Sequence, residues 1–334
     1  MPLTSQFSSL ILRLRRTTSH FSFFIYHLAA TLHPSHLSSC GIAALLFLAA
    51  CEKPIYDEAG AGQDPNGNLV LHIAFKDTRA GQAVNDYFGT INFVIYQDGN
   101  KVNAFTQHPS SGDYGNLSVS LEPGVYQVMA LAHSAKANPT LAHANEIYFA
   151  NKDGFSDTFS YYGDVTVTSQ PKQYTLELER VSSCVRFIIE DEIPASVNTM
   201  LFQYTGGSGT LNALTGFGCK NSQQYMEFAV DHSVKPPYVF DIYTILKGEE
   251  GELSITAFGL KKNGTTRVNG RQTDFTVPVH RQELVELSGS FFSDEAPNGG
   301  NDQPGDDPIT TPADSTSFVM LVDTVWHHVT HLTY

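Results

Sequence analysis

Alternation with a period of two constrains this chain more than any other feature. Leu69, Leu71, Ile73 and Phe75 occupy every second position, with His72 and Lys76 in the other phase. Successive side chains of a strand point to opposite faces, so such spacing makes a half-buried strand and cannot make the stripe of a helix. Ile91, Phe93 and Ile95 repeat it, and Asp98-Gly99-Asn100 then supplies turn chemistry. Leu117, Val119 and Leu121 run into a turn at Glu122-Pro123-Gly124, followed by the strongly apolar segment 125–132. Val165 and Val167, then Tyr174, Leu176 and Leu178, close the set. No stretch longer than a turn or two has helical periodicity, so the expected class is all-β.

The second half repeats the first in outline. Val185, Phe187 and Ile189 echo the opening strand, and residues 199–204, followed by Gly206-Gly207, echo the Ile91 strand and its turn. Residues 252–258 echo the apolar segment at Val125, and Phe275, Val277 and Val279 with residues 284–287 echo the closing pair. Two copies of one β-sandwich in tandem, residues 68–180 and 181–292, are the economical reading.

The flanks differ in kind. Residues 41–50 form an apolar run that stops at Cys51, too short for the roughly 20 residues a spanning helix needs. Arg13, Arg15 and Arg16 precede it, as in a secretory leader. Leu48-Ala49-Ala50-Cys51 resembles a bacterial lipobox, in which the leader is cut away and the cysteine carries lipid. Residues 1–50 are therefore read as a removed leader, Cys51 as the lipid attachment, and residues 51–67 as a Gly/Pro/Asp-rich tether.

Residues 293–317 hold four prolines, six acids and no base, a composition that buries no core and reads as a flexible linker. Residues 318–334 are apolar and strand-prone to the last position and contain the only tryptophan, Trp326. Phe318, Met320, Val322, Trp326, Leu332 and Tyr334 are expected to form a strand that joins a sheet, its own or a neighbour's.

Composition excludes some functions. The formal charge is −14, and losing the three arginines of residues 1–50, which contain no acid, takes it to −17. Nucleic-acid binding needs clustered Lys and Arg, so it is not expected. Cys184 and Cys219 can form one disulfide in an exported protein, or be two small buried hydrophobes, and spacing does not choose. His327, His328 and His331 have no neighbouring acid or cysteine to complete a metal site. No nucleophile elbow, zinc-binding helix, phosphate loop or dinucleotide fingerprint is present. Neither a catalytic residue nor a cofactor is assigned. Arg79, after the first strand, offers a bond that a trypsin-like protease can cut.

Taken in order, Leu48-Ala49-Ala50-Cys51-Glu52-Lys53, residues 67–71, residues 91–99, residues 121–126, Tyr161-Tyr162-Gly163-Asp164-Val165, Tyr204-Thr205-Gly206-Gly207 and the terminal Trp326 to Tyr334 resemble the fimbrillin family of the Bacteroidota. The likeness is strongest to its minor-fimbrium anchor and accessory branch. It implies two transthyretin-like Greek-key sandwiches, a lipoprotein of the outer membrane, and a part in type V pili. Relatives are cut at an arginine in the first domain, which opens a groove that another subunit's strand fills; Arg79 is the matching position and residues 318–334 the candidate donor. Anchors in the family keep their lipid uncut. The expected function is a lipid-anchored fimbrial subunit, basal or accessory, that joins other pilins by strand addition in adhesion. The alternative is a lipid-tethered surface protein that binds a glycan or host protein without polymerising.

Overall fold

Alternating runs become strands wherever one face can be buried, and nearly every strand expected above is present. The computed structural model describes residues 63–75, 81–293, 321–323, 326 and 328–334, without the side chains of residues 81–85 and 321–323. The first half contains β1 (Leu69–Phe75), β2 (Gly81–Ala83), the single helical turn α1 (Val84–Tyr87), β3 (Thr90–Gln97), β4 (Asn100–Gln107), β5 (Asn116–Val119), β6 (Gly124–His133), β7 (Ile147–Tyr148), β8 (Phe159–Val167) and β9 (Lys172–Arg180). The second contains β10 (Ser183–Ile189), β11 (Thr199–Thr205), β12 (Thr210–Asn212), β13 (Phe217–Gly218), β14 (Gln224–Ala229), β15 (Tyr238–Thr244), β16 (Glu250–Leu260), β17 (Arg267–Val268), β18 (Asp274–His280) and β19 (Glu283–Gly289). Two strands follow near the C-terminus, β20 (Leu321–Asp323) and β21 (His328–Thr333). Among the described residues no helix is long and apolar enough to cross a membrane.

The two halves share one connectivity. In the first, β1 pairs antiparallel with β5 and parallel with β9, while β3 lies between β4 and β6 and β6 also pairs with β8. In the second, β10 pairs antiparallel with β15 and parallel with β19, while β11 lies between β14 and β16 and β16 also pairs with β18. The fold is all-β, with strands of alternating burial packed into sandwiches. Leu69, Leu71, Ile73, Phe93, Leu117, Val128 and Leu176 anchor one core, and Val185, Phe187, Phe202, Phe240, Ile255 and Val277 the other.

A third core explains why residues 125–132 are apolar almost throughout. Val94, Tyr96, Met129 and Leu131 point away from the first core and pack against Ile147, Phe149, Leu211 and Ile245. Strands covered on both faces lose the polar phase of their alternation. Ile245 follows β15, and the rest of this cover comes from two excursions, one between β6 and β8 and one between β11 and β14. They meet where β12 pairs antiparallel with β7, Leu211 opposite Ile147.

One expected turn is present, and two sequence expectations change in detail. Asp98 and Gly99 have φ of 52° and 76° and make the tight β3–β4 hairpin, as positive φ at both central positions requires. Gly206-Gly207 makes no equivalent hairpin, because the chain leaves β11 there for β12 and β13. Gly206, at φ +101°, passes against the Glu252 carbonyl, and a side chain at Gly207 would overlap Thr244; close approach, not a turn, selects both glycines. The tether is docked from Gln63 onward. Asp64 N–H donates to Ser118 O at 2.8 Å, and Ser118 Oγ donates to Asp64 O at 2.7 Å. This shields the free edge of β5, where an open row of backbone groups would invite pairing with another chain.

Candidate functional site

The last seven residues carry the same period-two signal as the sandwiches. Thr330, Leu332 and Tyr334 are partly buried, while Val329, His331 and Thr333 are exposed. β21 lies parallel to β19, from Glu283 opposite His328 to Ser288 opposite Thr333. It forms the edge of a four-stranded sheet in the order β15-β10-β19-β21.

Side chains hold it there. The Tyr334 ring lies 5.0 Å from the rings of Phe187 and Phe275. Its N–H donates to Ser288 O at 3.0 Å, and its hydroxyl to Ile188 O at 3.3 Å. Burial holds the phenol above its ordinary pKa. Gly289 lacks the Cβ that would overlap the Tyr334 carbonyl. Thr330 Oγ1 donates to Glu283 Oε1 at 2.5 Å, and His280 N–H donates to Glu283 Oε2 at 2.6 Å. Burial alone would raise the Glu283 pKa, but the hydrogen bonds from Thr330 and His280 hold it below the ordinary value. On the outer face His331 Nδ1 lies 2.9 Å from Glu286 Oε2. Arg186 pairs with Glu286 at 3.5 Å and with Asp241 at 2.8 Å, so one row of polar contacts crosses all four strands.

Upstream, Trp326 is fastened to the first half. Its ring lies 4.0 Å from the Arg180 guanidinium, which also stands 4.7 Å from the Phe159 ring. Arg180 and Asp157 are a buried pair, their side chains 6% and 5% exposed. Arg180 Nε donates to Asp157 Oδ1 and Nη2 to Oδ2, both at 2.9 Å. Ser182 Oγ donates to the same carboxylate at 2.8 Å and Tyr87 OH at 2.6 Å. Sequence reading missed this pair although a signal existed: Arg180 stands in the inward phase of Leu176 and Leu178. Upstream of both fastenings β20 pairs antiparallel with β2, Val322 opposite Gln82.

Of the residues singled out in the sequence, Trp326 thus rests on the first half, and Leu332 and Tyr334 join the core of the second. Val322 contributes its backbone. Cys51, Arg79, Phe318 and Met320 lie outside the described residues. Cys184 and Cys219 are free thiols and form no disulfide. Cys184 is buried on β10 between β15 and β19, and burial pushes its thiol pKa up. Cys219 is exposed just beyond β13, its Sγ 3.5 Å from Thr210 O. Among the described residues no group of three or more His, Cys, Asp or Glu is placed to hold a metal ion. The arrangement offers backbone pairing and aromatic anchorage.

The family described as fimbrillin-A associated anchor proteins Mfa1 and Mfa2 matches residues 63–285. Among solved structures, the chain is similar to the fimbrial anchor protein Mfa2 of Porphyromonas gingivalis, at 12% identity and a TM-score of 0.39, covering 63% of this chain and 80% of that one. It is also similar to a fimbrial assembly protein of Parabacteroides distasonis, at 14% identity and a TM-score of 0.37, covering 66% and 90%. No curated protein matches the chain.

Proposed function

Because the chain belongs to the family of fimbrillin-A associated anchor proteins, we propose that it is a lipid-anchored fimbrial subunit, basal or accessory, that joins other pilins by β-strand addition in cell adhesion. The family is one of fimbrial anchor proteins and not of enzymes, and the chain is accordingly a fimbrial, adhesion-related component of the cell surface. The finer reading divides it into a leader (1–50), a lipidated tether from Cys51 to residue 67, two transthyretin-like sandwiches (68–180 and 181–292), an acidic linker (293–317) and a terminal strand (318–334). Lipid on Cys51 holds the outer membrane, and residues 318–334 meet the neighbouring subunit.

The observation that supports strand addition most directly is the seat of β21. A six-residue strand near the C-terminus is the edge of its sheet, and its backbone pairing could be offered equally well to a neighbour. Donation requires β21 to leave β19. Ser288 and Thr333 are register partners, and adjacent strands lie within disulfide reach. Ser288→Cys together with Thr333→Cys is therefore expected to lock the strand at home. The oxidised lock should abolish co-assembly with purified pilins, and reduction should restore it. Undiminished assembly by the locked protein would exclude donation of β21.

The fate of Arg79 separates an anchor from a released subunit. Protein purified from outer membranes is expected to begin at Cys51 and to exceed its polypeptide mass by the acyl groups. A product beginning at Ala80 would instead identify a subunit that is cut free.

A further inference from the structure

β8 and β9 pair at only two positions, Phe159 opposite Arg180 and Ser160 opposite Glu179. Beyond them β8 stays with β6 and β9 runs beside β1, so the strands part. A cleft of about 350 Å³ lies there, lined from the first half by Ser160, Tyr161, Tyr162, Glu177 and Glu179 and closed from the second by residues 213–216 and Arg281. None of these residues belongs to the β21 seat.

The two walls have opposite hydrogen-bonding character. Glu177 and Glu179 stand two apart on β9, on the same exposed face, and an ionised carboxylate only accepts. Arg281 only donates. Its Nε is buried and has no acceptor, and its nearest carboxylate, Glu249, stands 4.0 Å from Nη1. The guanidinium is held 4.7 Å over the Phe217 ring, and Gly216, at φ +72°, leaves no side chain against Nη2. Two half-buried tyrosines, each with an apolar ring and a polar tip, complete the lining.

A ligand that fits must donate to one wall, accept from the other and lay an apolar face on a ring. A cationic peptide would suit Glu177 and set a like charge against Arg281. An acidic sugar would satisfy Arg281 and meet two carboxylates. Sugar hydroxyls donate and accept at once, and the C–H face of a pyranose is apolar. We propose that this cleft binds a neutral saccharide of one or two rings, a volume at the small end of ligand pockets.

The test is saturation-transfer NMR on the full chain against glucose, galactose, mannose, N-acetylglucosamine, maltose and lactose, with sialic acid and tri-lysine as rivals. At least one neutral sugar is expected to receive saturation. Glu177→Gln, an exposed change that leaves the fold intact by urea unfolding, should weaken its Kd about tenfold or more, as for loss of a charged hydrogen-bond partner. The Ser288→Cys, Thr333→Cys lock should leave sugar binding unchanged. Absence of transfer to every neutral sugar, an unaltered Kd in Glu177→Gln, or binding of sialic acid or tri-lysine instead would overturn the assignment.

Discussion

Asp157→Ala is expected to destabilise the protein by about 3–5 kcal/mol, the usual cost of removing one partner from a buried ion pair. The carboxylate accepts two hydrogen bonds from Arg180, one from Ser182 and one from Tyr87. Alanine deprives a guanidinium that is 6% exposed of the Asp157 carboxylate and leaves two hydroxyls without this acceptor. Desolvated charge makes the loss larger than that of an exposed pair such as Lys235–Glu192, where solvent substitutes for the partner. The Trp326 stack should loosen too, because it rests on the same guanidinium. Asp157→Asn keeps the shape and some acceptor capacity, so it should fall between the two. Urea midpoints at pH 7 measure all three proteins. An alanine variant within about 1 kcal/mol of the parent would show that the pair is not a keystone.

Acid is the second large lever, and His133 at the end of β6 is its handle. His133 Nδ1 accepts from Ala135 N–H at 3.2 Å, and Nε2 donates to Asn92 Oδ1 at 3.0 Å, so the buried ring is held neutral. Burial, with a smaller contribution from His108, lowers its pKa to about 4 from 6.5. Between those values the unfolded chain binds a proton that the folded ring refuses. Stability should therefore fall as pH drops from 6.5 towards 4, by about 3 kcal/mol over the window, and His133 should add nothing further below it. Glu283, whose pKa is lowered, contributes stability that is lost in the same direction as its carboxylate protonates. Urea unfolding of the parent and of His133→Asn at pH 7, 6 and 5 isolates the histidine. The variant should be weaker at pH 7 and should lose stability less steeply on acidification. Equal slopes would remove His133 from the account.

Strand positions were legible because burial writes itself into alternation, and the echo between halves was legible because both copies bury the same faces. Other features left weaker traces. The apolar run of β6 marked burial on both faces without naming what covers it. Arg180 fell in the inward phase, yet a charge there has meaning only beside Asp157, which stands outside any alternating run. The pair Gly206-Gly207 looked like a turn because composition cannot distinguish a reversal from a close crossing. Cys184 and Cys219 could be paired on paper, whereas the fold buries Cys184 on β10 and leaves Cys219 exposed beyond β13.

By itself, the sequence determined an all-β protein, the face that each main strand buries, and a terminal segment built to join a sheet. A residue's alternation records which side of its strand meets solvent, and that is local information. Only the tertiary structure decided the neighbours. β21 lies parallel to β19, Trp326 reaches back to Arg180, and residues 213–216 of one half close a cleft on the other. Such contacts depend on which distant surfaces come together when three cores are buried at once, and no period along the chain encodes that choice.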